Sequence, residues 1–84
     1  MYYVYILKCA DDTLYTGITT ELKRRITEHN GSAKGAKYTR VRRPVKLIYS
    51  ELYDSRSAAL KREYKIKKKM TRREKLEMIQ AKND

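Results

Sequence analysis

The sequence has few of the residues that build disulfides, metal clusters and membrane spans. Its 84 residues include one cysteine, Cys9, and one histidine, His29. One thiol cannot form an internal disulfide, and these two residues cannot supply a four-ligand zinc site. No apolar stretch approaches the roughly 18 residues that span a membrane. Because a single free thiol suits a reducing compartment, we expect a cytoplasmic protein without a membrane partner.

Linkers and leader segments are also not indicated. Three glycines and one proline are too few for a long linker or a disordered tail. The N-terminus lacks a charged stretch followed by an apolar run and a small-residue cleavage site, so no signal peptide is predicted. A chain of this length suffices for one small domain. We therefore expect a single domain over residues 1–84, with its core at about residues 2–79.

Positive charge is the most abundant feature of the chain. The 21 lysines and arginines exceed the 10 acidic residues by 11, more than the ~2–8 charges that solubility requires of a small domain. Residues 34–46 contain six basic residues and no acid, and residues 61–75 contain nine basic residues and two acids. These two basic segments predict a polyanionic partner, and nucleic acid is favoured over an anionic membrane. Docking on an acidic protein partner remains an alternative.

Aromatic and β-branched residues predict a β-hairpin at the N-terminus. Residues 2–9 and 14–19 are rich in Tyr, Val, Ile and Thr, and a turn containing two aspartates separates them. Alternate residues of a strand share a face, so Tyr15 and Gly17 lie on the same side. We expect Gly17 to leave open space beside the Tyr15 ring.

A third strand is predicted at residues 45–52, directly after the only proline. Its residues are again mostly β-branched, aliphatic or aromatic. Strict alternation along this strand would place Leu47 and Tyr49 on one face and Ile48 and Leu52 on the other.

Three helices are predicted around these strands. The first is capped by Thr20, runs to about His29 and is followed by a basic loop at residues 30–43. The second covers roughly residues 56–68. The third begins at the Thr71–Glu74 capping box, in which two side chains satisfy each other's backbone N–H groups. The resulting element order is β-β-α-β-α-α.

Side chains on the two earlier helices could carry chemistry. Arg25 and His29 are four residues apart and therefore lie on the same side of the first helix. Glu63 lies beside the apolar stripe of the second helix. Its ordinary role would be an ion pair with Lys67 one turn later. A carboxylate near a core otherwise needs another partner or a metal ion.

The spacing of these residues resembles that of the GIY-YIG nuclease superfamily. Tyr3-Val4-Tyr5 and, ten residues further on, Tyr15-Thr16-Gly17 resemble the paired motifs of that family. Arg25 and His29 follow, and their residue types and their spacing along the chain from the second motif match the strand-to-helix stretch of that family. Residues 59–67, which contain Glu63, resemble the metal-binding helix. Residues 35–39 resemble the corresponding loop of the small stand-alone bacterial members, the YhbQ-like group.

The resemblance implies an α+β fold, a small three-stranded antiparallel sheet with helices packed around it. It also implies a metal-dependent endonuclease with a role in repair or recombination, and DNA is favoured over RNA as its substrate. One Mg²⁺ or Mn²⁺ ion, weakly held without substrate, would bind Glu63. Arg25 would neutralise charge on the phosphoryl group. Tyr5 or Tyr15 would activate water, which requires nearby cations to lower the pKa of the phenol, and His29 is the alternative base.

The resemblance further implies substrate contacts from Gly17, Lys37, Tyr38 and Arg40. One departure from the family pattern concerns the stretch after the metal-binding helix. Many members carry a functional asparagine there, whereas residues 64–82 contain none. An alternative function is therefore a DNA- or RNA-binding module with the same fold and little or no catalysis.

Overall fold

A computed structural model describes residues 1–83 of the chain. These residues form one sheet of three antiparallel strands together with four α-helices and one π-helical segment. In chain order the elements are β1 (Tyr2–Lys8), β2 (Leu14–Thr19), α1 (Leu22–Gly31), α2 (Lys37–Arg40), β3 (Lys46–Tyr53), α3 (Arg56–Tyr64), the π-helical segment (Lys65–Lys69) and α4 (Arg72–Asn83). The predicted α+β class with a three-stranded antiparallel sheet is confirmed.

Strand β1 occupies the centre of the sheet, with β2 on one side and β3 on the other. The centre is the position where both faces of a strand are covered, and consecutive apolar residues suit it. Val4, Tyr5, Ile6 and Leu7 are each at most 1% exposed. Tyr5 lies directly opposite Gly17 on β2, and this pairing brings the two sequence motifs together.

The core consists of two apolar clusters that contain alternate residues of β1. The α3-side cluster is built on Val4 and Ile6 and receives Ala59 of α3 and Ile79 of α4. The α1-side cluster comprises Tyr5, Leu7, Cys9 and Val45, and Leu22 and Ile26 of α1 pack against it. The catalytic candidates Tyr5 and His29 therefore lie on the α1 side of the sheet.

Strand β3 contains a β-bulge that strict alternation does not predict. Ile6 pairs with Tyr49 and Leu7 pairs with Leu47, so the intervening Ile48 has no partner on β1. An extra residue of this kind reverses the facing of the residues beyond it. Leu47 consequently packs with the α1-side cluster and Tyr49 with the α3-side cluster. The prediction that these two residues share a face is wrong.

The segment predicted as a basic loop is more ordered than expected. Helix α1 continues to Gly31, and α2 forms a further helical turn. The Asn30 side chain bonds the backbone of Val45 twice, donating to its carbonyl at 3.0 Å and accepting from its N–H at 2.7 Å. A Cβ on Gly35 would lie 2.8 Å from the carbonyl oxygen of Glu28. Close backbone packing at Gly35 and the two hydrogen bonds of the Asn30 side chain therefore hold this segment against α1.

The predicted second helix changes type before it ends. After Tyr64 the chain forms the π-helical segment, and the Met70 N–H donates to the Lys65 carbonyl five residues earlier at 3.2 Å. The predicted capping box then starts α4. The Glu74 N–H donates to Thr71 Oγ1 at 3.1 Å, and the Thr71 N–H donates to Glu74 Oε1 at 2.8 Å.

A partly buried ionic network links β3 to α3, and no local sequence pattern predicts it. Arg62 donates from Nε and Nη2 to the two oxygens of Glu51, each at 2.9 Å, and Tyr49 and Tyr53 also donate to this carboxylate. Burial alone would raise the pKa of Glu51, but these hydrogen bonds and the Arg62 charge lower that pKa to about 2. The network anchors the helix that carries Glu63.

Within residues 1–83, no helix is both long enough and apolar enough to span a membrane.

Candidate active site

Tyr5 and His29 form a buried hydrogen-bonded pair between β1 and α1. The Tyr5 hydroxyl lies 2.8 Å from Nε2 of His29, and Nδ1 of the same ring lies 2.8 Å from Oγ1 of Thr39 on α2. The Thr39 hydroxyl donates its one hydrogen to the Ala36 carbonyl at 2.9 Å. The two shorter contacts favour the tautomer in which Nδ1–H donates to Thr39 and Nε2 accepts from the Tyr5 hydroxyl, over the one in which Nδ1 accepts from the Ala36 N–H at 3.5 Å.

His29 is neutral at pH 7. Its side chain is fully buried, and this burial, together with the positive charges of Arg25 and Arg43, lowers the pKa of His29 to about 4. The nearby Glu28 carboxylate opposes the shift without reversing it. A neutral imidazole with Nε2 as an acceptor orients the Tyr5 hydroxyl, and its low pKa makes it a weak base at pH 7.

Tyr15 lies at the centre of an aromatic stack beside this pair. Its ring centroid is 5.2 Å from that of His29 and 6.0 Å from that of Tyr38, with Tyr15 and Tyr38 stacked at 27°. The Arg42 guanidinium lies 3.9 Å from the centre of the Tyr38 ring and donates to Asp11 at 3.0 Å. The hairpin turn is thus connected to Tyr15 through α2.

Both candidate phenols are harder to ionise than free tyrosine. Burial and the neighbouring Tyr15 raise the pKa of Tyr5 to about 12, although Arg25 opposes the shift. Burial also raises the pKa of Tyr15, with Arg25 opposing and Glu63 adding to the rise. The expected lowering of a phenol pKa is not found, because desolvation outweighs the single guanidinium charge. Both hydroxyls are protonated at pH 7.

Arg25 is anchored beside the tyrosines and remains partly open to solvent. Nη1 donates to Glu28 Oε1 at 3.0 Å and to the carbonyl of Lys34 at 2.7 Å, and the side chain is 27% exposed. Its charge acts on both Tyr5 and Tyr15. A preorganised guanidinium in this position can neutralise an incoming phosphate.

Gly17 makes room for the Tyr5 side chain. A Cβ on Gly17 would lie 2.6 Å from the Tyr5 hydroxyl oxygen, 2.8 Å from Tyr5 Cζ and 3.2 Å from Tyr15 Cε2. The prediction of open space beside Tyr15 is wrong, because the end of the Tyr5 ring occupies it. Its contribution to the site is steric.

A cleft of about 350 Å³ opens beside the aromatic stack. The residues that line it are Leu14, Tyr15, Thr16, Tyr38, Lys67 and Lys75. Lys67 Nζ lies 5.7 Å from the centre of the Tyr15 ring. A larger cleft of about 470 Å³, between Tyr3, Leu47 and the start of α1, contains none of the predicted site residues.

Glu63 has no ion-pair partner among residues 1–83. The expected pairing with Lys67 is wrong, since the five ion pairs of this part of the chain involve other residues. The negative charge of Glu63 adds to the rise in the pKa of both Tyr5 and Tyr15.

The donor set near Glu63 fits a weakly held, mostly hydrated ion. No group of three or more His, Cys, Asp or Glu residues that could hold a metal occurs in the described chain. Mg²⁺ usually retains several waters and binds through one or two carboxylates plus substrate phosphate. Glu63 can therefore hold such an ion only in cooperation with a bound phosphodiester.

The first basic segment divides into structural and exposed residues. Arg43 donates from Nε to the His29 carbonyl at 2.5 Å and from Nη2 to the Ser32 carbonyl at 2.6 Å, which satisfies the C-terminal end of α1. Lys37 and Arg40, on either side of Tyr38, are exposed and available to a phosphate backbone. Charge counting alone does not distinguish these two kinds of residue.

Comparison with known proteins identifies the family. A family model described as the GIY-YIG catalytic domain matches residues 1–77. The chain therefore belongs to the GIY-YIG family. Within it, the chain is similar to a group of small bacterial proteins named UPF0213.

Three relatives show the extent of this similarity. The UPF0213 protein DP2720 of Desulfotalea psychrophila is 68% identical over 66 residues, covering 79% of this chain and 60% of that protein. A UPF0213 protein of Syntrophus aciditrophicus is 58% identical over 92% of this chain and 87% of its own length. The UPF0213 protein SH2523 of Staphylococcus haemolyticus is 54% identical over 94% of each.

Two solution NMR structures share the fold. The UPF0213 protein BH0048 from Bacillus halodurans is 44% identical and superposes with a TM-score of 0.62, covering 98% of this chain and 86% of that one. The protein EF2693 from E. faecalis is 46% identical with a TM-score of 0.65, covering 98% and 85%.

Proposed function

We propose that the protein is a divalent-metal-dependent endonuclease that hydrolyses phosphodiester bonds in DNA. The observation that carries the proposal is the buried Tyr5–His29 pair, on which the charge of Arg25 acts, and the negative charge of the unpaired Glu63 also acts on both tyrosines. Family membership supports the reaction class, because the matched domain is a catalytic domain and its nucleases generally use divalent ions. The net charge of +11 favours a nucleic-acid substrate.

Each charged side chain of the site has its own role in binding the phosphates of the substrate. Glu63 would hold a Mg²⁺ or Mn²⁺ ion, which when bound supplies Lewis-acid polarisation of the phosphate and stabilises the leaving oxygen. Arg25, fixed by Glu28, neutralises charge on the phosphoryl oxygens. Lys37 and Arg40 contact flanking phosphates from the exposed side of α2.

Tyr5 and His29 take up the proton of the attacking water. The water gives one proton to the Tyr5 oxygen while the Tyr5 hydroxyl hydrogen passes to Nε2 of His29, so the phenol stays neutral overall. This relay needs no free phenolate, but its last acceptor is a ring with a pKa of about 4, so it requires the negative charge of the bound phosphate to stabilise the imidazolium as it forms. Tyr15, which lines the cleft, contacts the substrate.

The second candidate function is a nucleic-acid-binding module without chemistry. The observation that favours it is the sparse donor set, with Glu63 as the lone carboxylate and no cluster of three ligands in residues 1–83. The absence of asparagine from residues 64–82 points the same way. This function predicts binding of DNA or RNA without strand scission.

A nuclease screen separates the two functions. End-labelled four-way, flapped and nicked DNAs and a structured RNA are incubated with Mg²⁺, Mn²⁺ or EDTA, and binding is measured in parallel by fluorescence anisotropy. Endonuclease activity predicts scission with metal only, lost in Glu63→Gln and kept in the control Glu77→Gln, whose side chain is exposed on α4. Tight binding without scission on any substrate establishes the binding module instead.

A further inference from the structure

Two lysines beside the site carry charges that no ion pair within residues 1–83 neutralises. Lys67 belongs to the π-helical segment and Lys75 to α4, yet both line the cleft that contains Tyr15. Neither takes part in any ion pair or side-chain hydrogen bond of this part of the chain. Two ammonium groups thus share one cleft with the aromatic stack.

The acidic side chains closest in sequence do not neutralise this pair. Glu74 accepts the Thr71 N–H in the capping box, and Glu77 pairs with Arg73 at 3.5 Å. Glu63 lies more than 4 Å from every lysine and arginine nitrogen among residues 1–83. The cleft therefore keeps its positive charge.

The local backbone fixes both lysines. The buried Ile66 anchors the π-helical segment to the α3-side cluster, and the next residue is Lys67. The capping box sets the first turn of α4, from which Lys75 enters the cleft. Lys75 is partly buried, whereas lysine is ordinarily exposed. A partly desolvated, unpaired ammonium favours an anion as its partner.

We propose that Lys67 and Lys75 bind a backbone phosphate of the nucleic-acid strand that passes Tyr15, adjacent to the phosphate that is cleaved. The inference rests on the proposed function and adds a second phosphate position to the site. Lysine acts as a point charge, so this subsite contributes affinity and register without reading the base sequence. It also leaves Glu63 unpaired for a divalent ion.

The test measures metal-free binding of a fluorescein-labelled flapped DNA in EDTA. The double variant Lys67→Gln/Lys75→Gln is compared with Lys8→Gln/Lys23→Gln, which removes the same charge from two exposed lysines outside the cleft and outside both basic segments. Because the two lysines share one phosphate, losing that contact should reduce the steepness of the slope of log K against log salt by about 0.9. The loss of affinity between about 50 and 200 mM salt then shrinks about 3.5-fold, whereas the control pair changes it little.

A neutral-backbone scan locates the contact. Single methylphosphonate substitutions along the strand should weaken wild-type binding most at one position, and Lys67→Gln/Lys75→Gln should show no further loss there. Thermal unfolding should show the cleft variant at least as stable as wild type, because two like charges are removed. Equal slopes for the two double variants, with strong wild-type binding, overturn the phosphate subsite alone. Absence of salt-dependent wild-type binding overturns the proposed function as well.

Discussion

The hydroxyl oxygen of Tyr5 lies 2.8 Å from Nε2 of His29, although 24 residues separate the two in the chain. The pair joins the central strand to α1, and each side chain is at most 1% exposed. It also connects the first sequence motif to the Arg–His helix. Changes that disturb this contact should therefore affect stability as well as catalysis.

Removing each tyrosine hydroxyl should separate its structural and chemical contributions. Tyr5→Phe leaves Nε2 of His29 buried without a partner, so we expect a loss of about 1–3 kcal/mol in the free energy of unfolding. Tyr15→Phe should change it by less than about 0.5 kcal/mol, because the Tyr15 hydroxyl makes no hydrogen bond within residues 1–83. Urea unfolding provides the measurement, and a larger loss for Tyr15→Phe would contradict the geometry.

Gly17→Ala should lower the stability of the fold, although it adds only one methyl group. The new methyl group would overlap the Tyr5 hydroxyl and ring, and the buried ring has nowhere to move, so we expect a loss of about 1–3 kcal/mol. Gly31→Ala is the matched control. No atom lies within 4 Å of its added Cβ, and alanine favours a helix by about 1 kcal/mol over glycine. Equal Tm values for the two variants would refute the steric role of Gly17.

Removing the charge of Arg43 should lower stability, whereas removing the charge of Arg40 should weaken DNA binding. Arg43→Gln removes hydrogen bonds to the C-terminal carbonyls of α1, and we expect a loss of about 1–3 kcal/mol of stability. Arg40→Gln should leave stability unchanged and reduce the salt slope of DNA binding by about 0.9. Chemical denaturation and anisotropy on the same two variants check this prediction. A reversed pattern would show that Arg40 is structural and Arg43 binds phosphate.

Acid should destabilise the protein through its only histidine. The folded pKa of His29 is about 4, against 6.5 for a free histidine. Between these values the unfolded chain binds a proton that the folded chain does not. The contribution of His29 is therefore complete above pH 6.5 and is lost as the pH falls towards 4, by at most about 3 kcal/mol. NMR titration of the ring should show a midpoint near 4, and a midpoint near 6.5 would contradict the buried neutral ring.

The sequence was sufficient to predict those parts of the fold that depend on local residue patterns. The alternation of β1 and β2, the turn between them and the Thr71–Glu74 capping box predicted the hairpin and the start of α4 correctly. Motif spacing identified the family and named Tyr5, Tyr15, Arg25 and His29, and the structure brings these four side chains together. Their catalytic roles remain proposals.

The contacts that the sequence did not reveal are long-range and have no local pattern. Thr39 meets His29 across 10 residues, and Arg62 meets Glu51 across 11. The bulge at Ile48 depends on how two strands register, which no single strand encodes. The phenol pKa values depend on burial, so the charge of Arg25 suggested the wrong direction.

The most direct test of the central claim is a single-turnover scission assay with labelled flapped or four-way DNA and excess protein. We predict that wild type produces a defined cut in Mg²⁺ or Mn²⁺, that EDTA stops product formation at once, and that Glu63→Gln binds the same DNA at least as tightly without cutting it. The control Glu77→Gln should cut like wild type. Product that forms equally in EDTA or with Glu63→Gln, or complete binding without any product, would contradict a metal-dependent endonuclease.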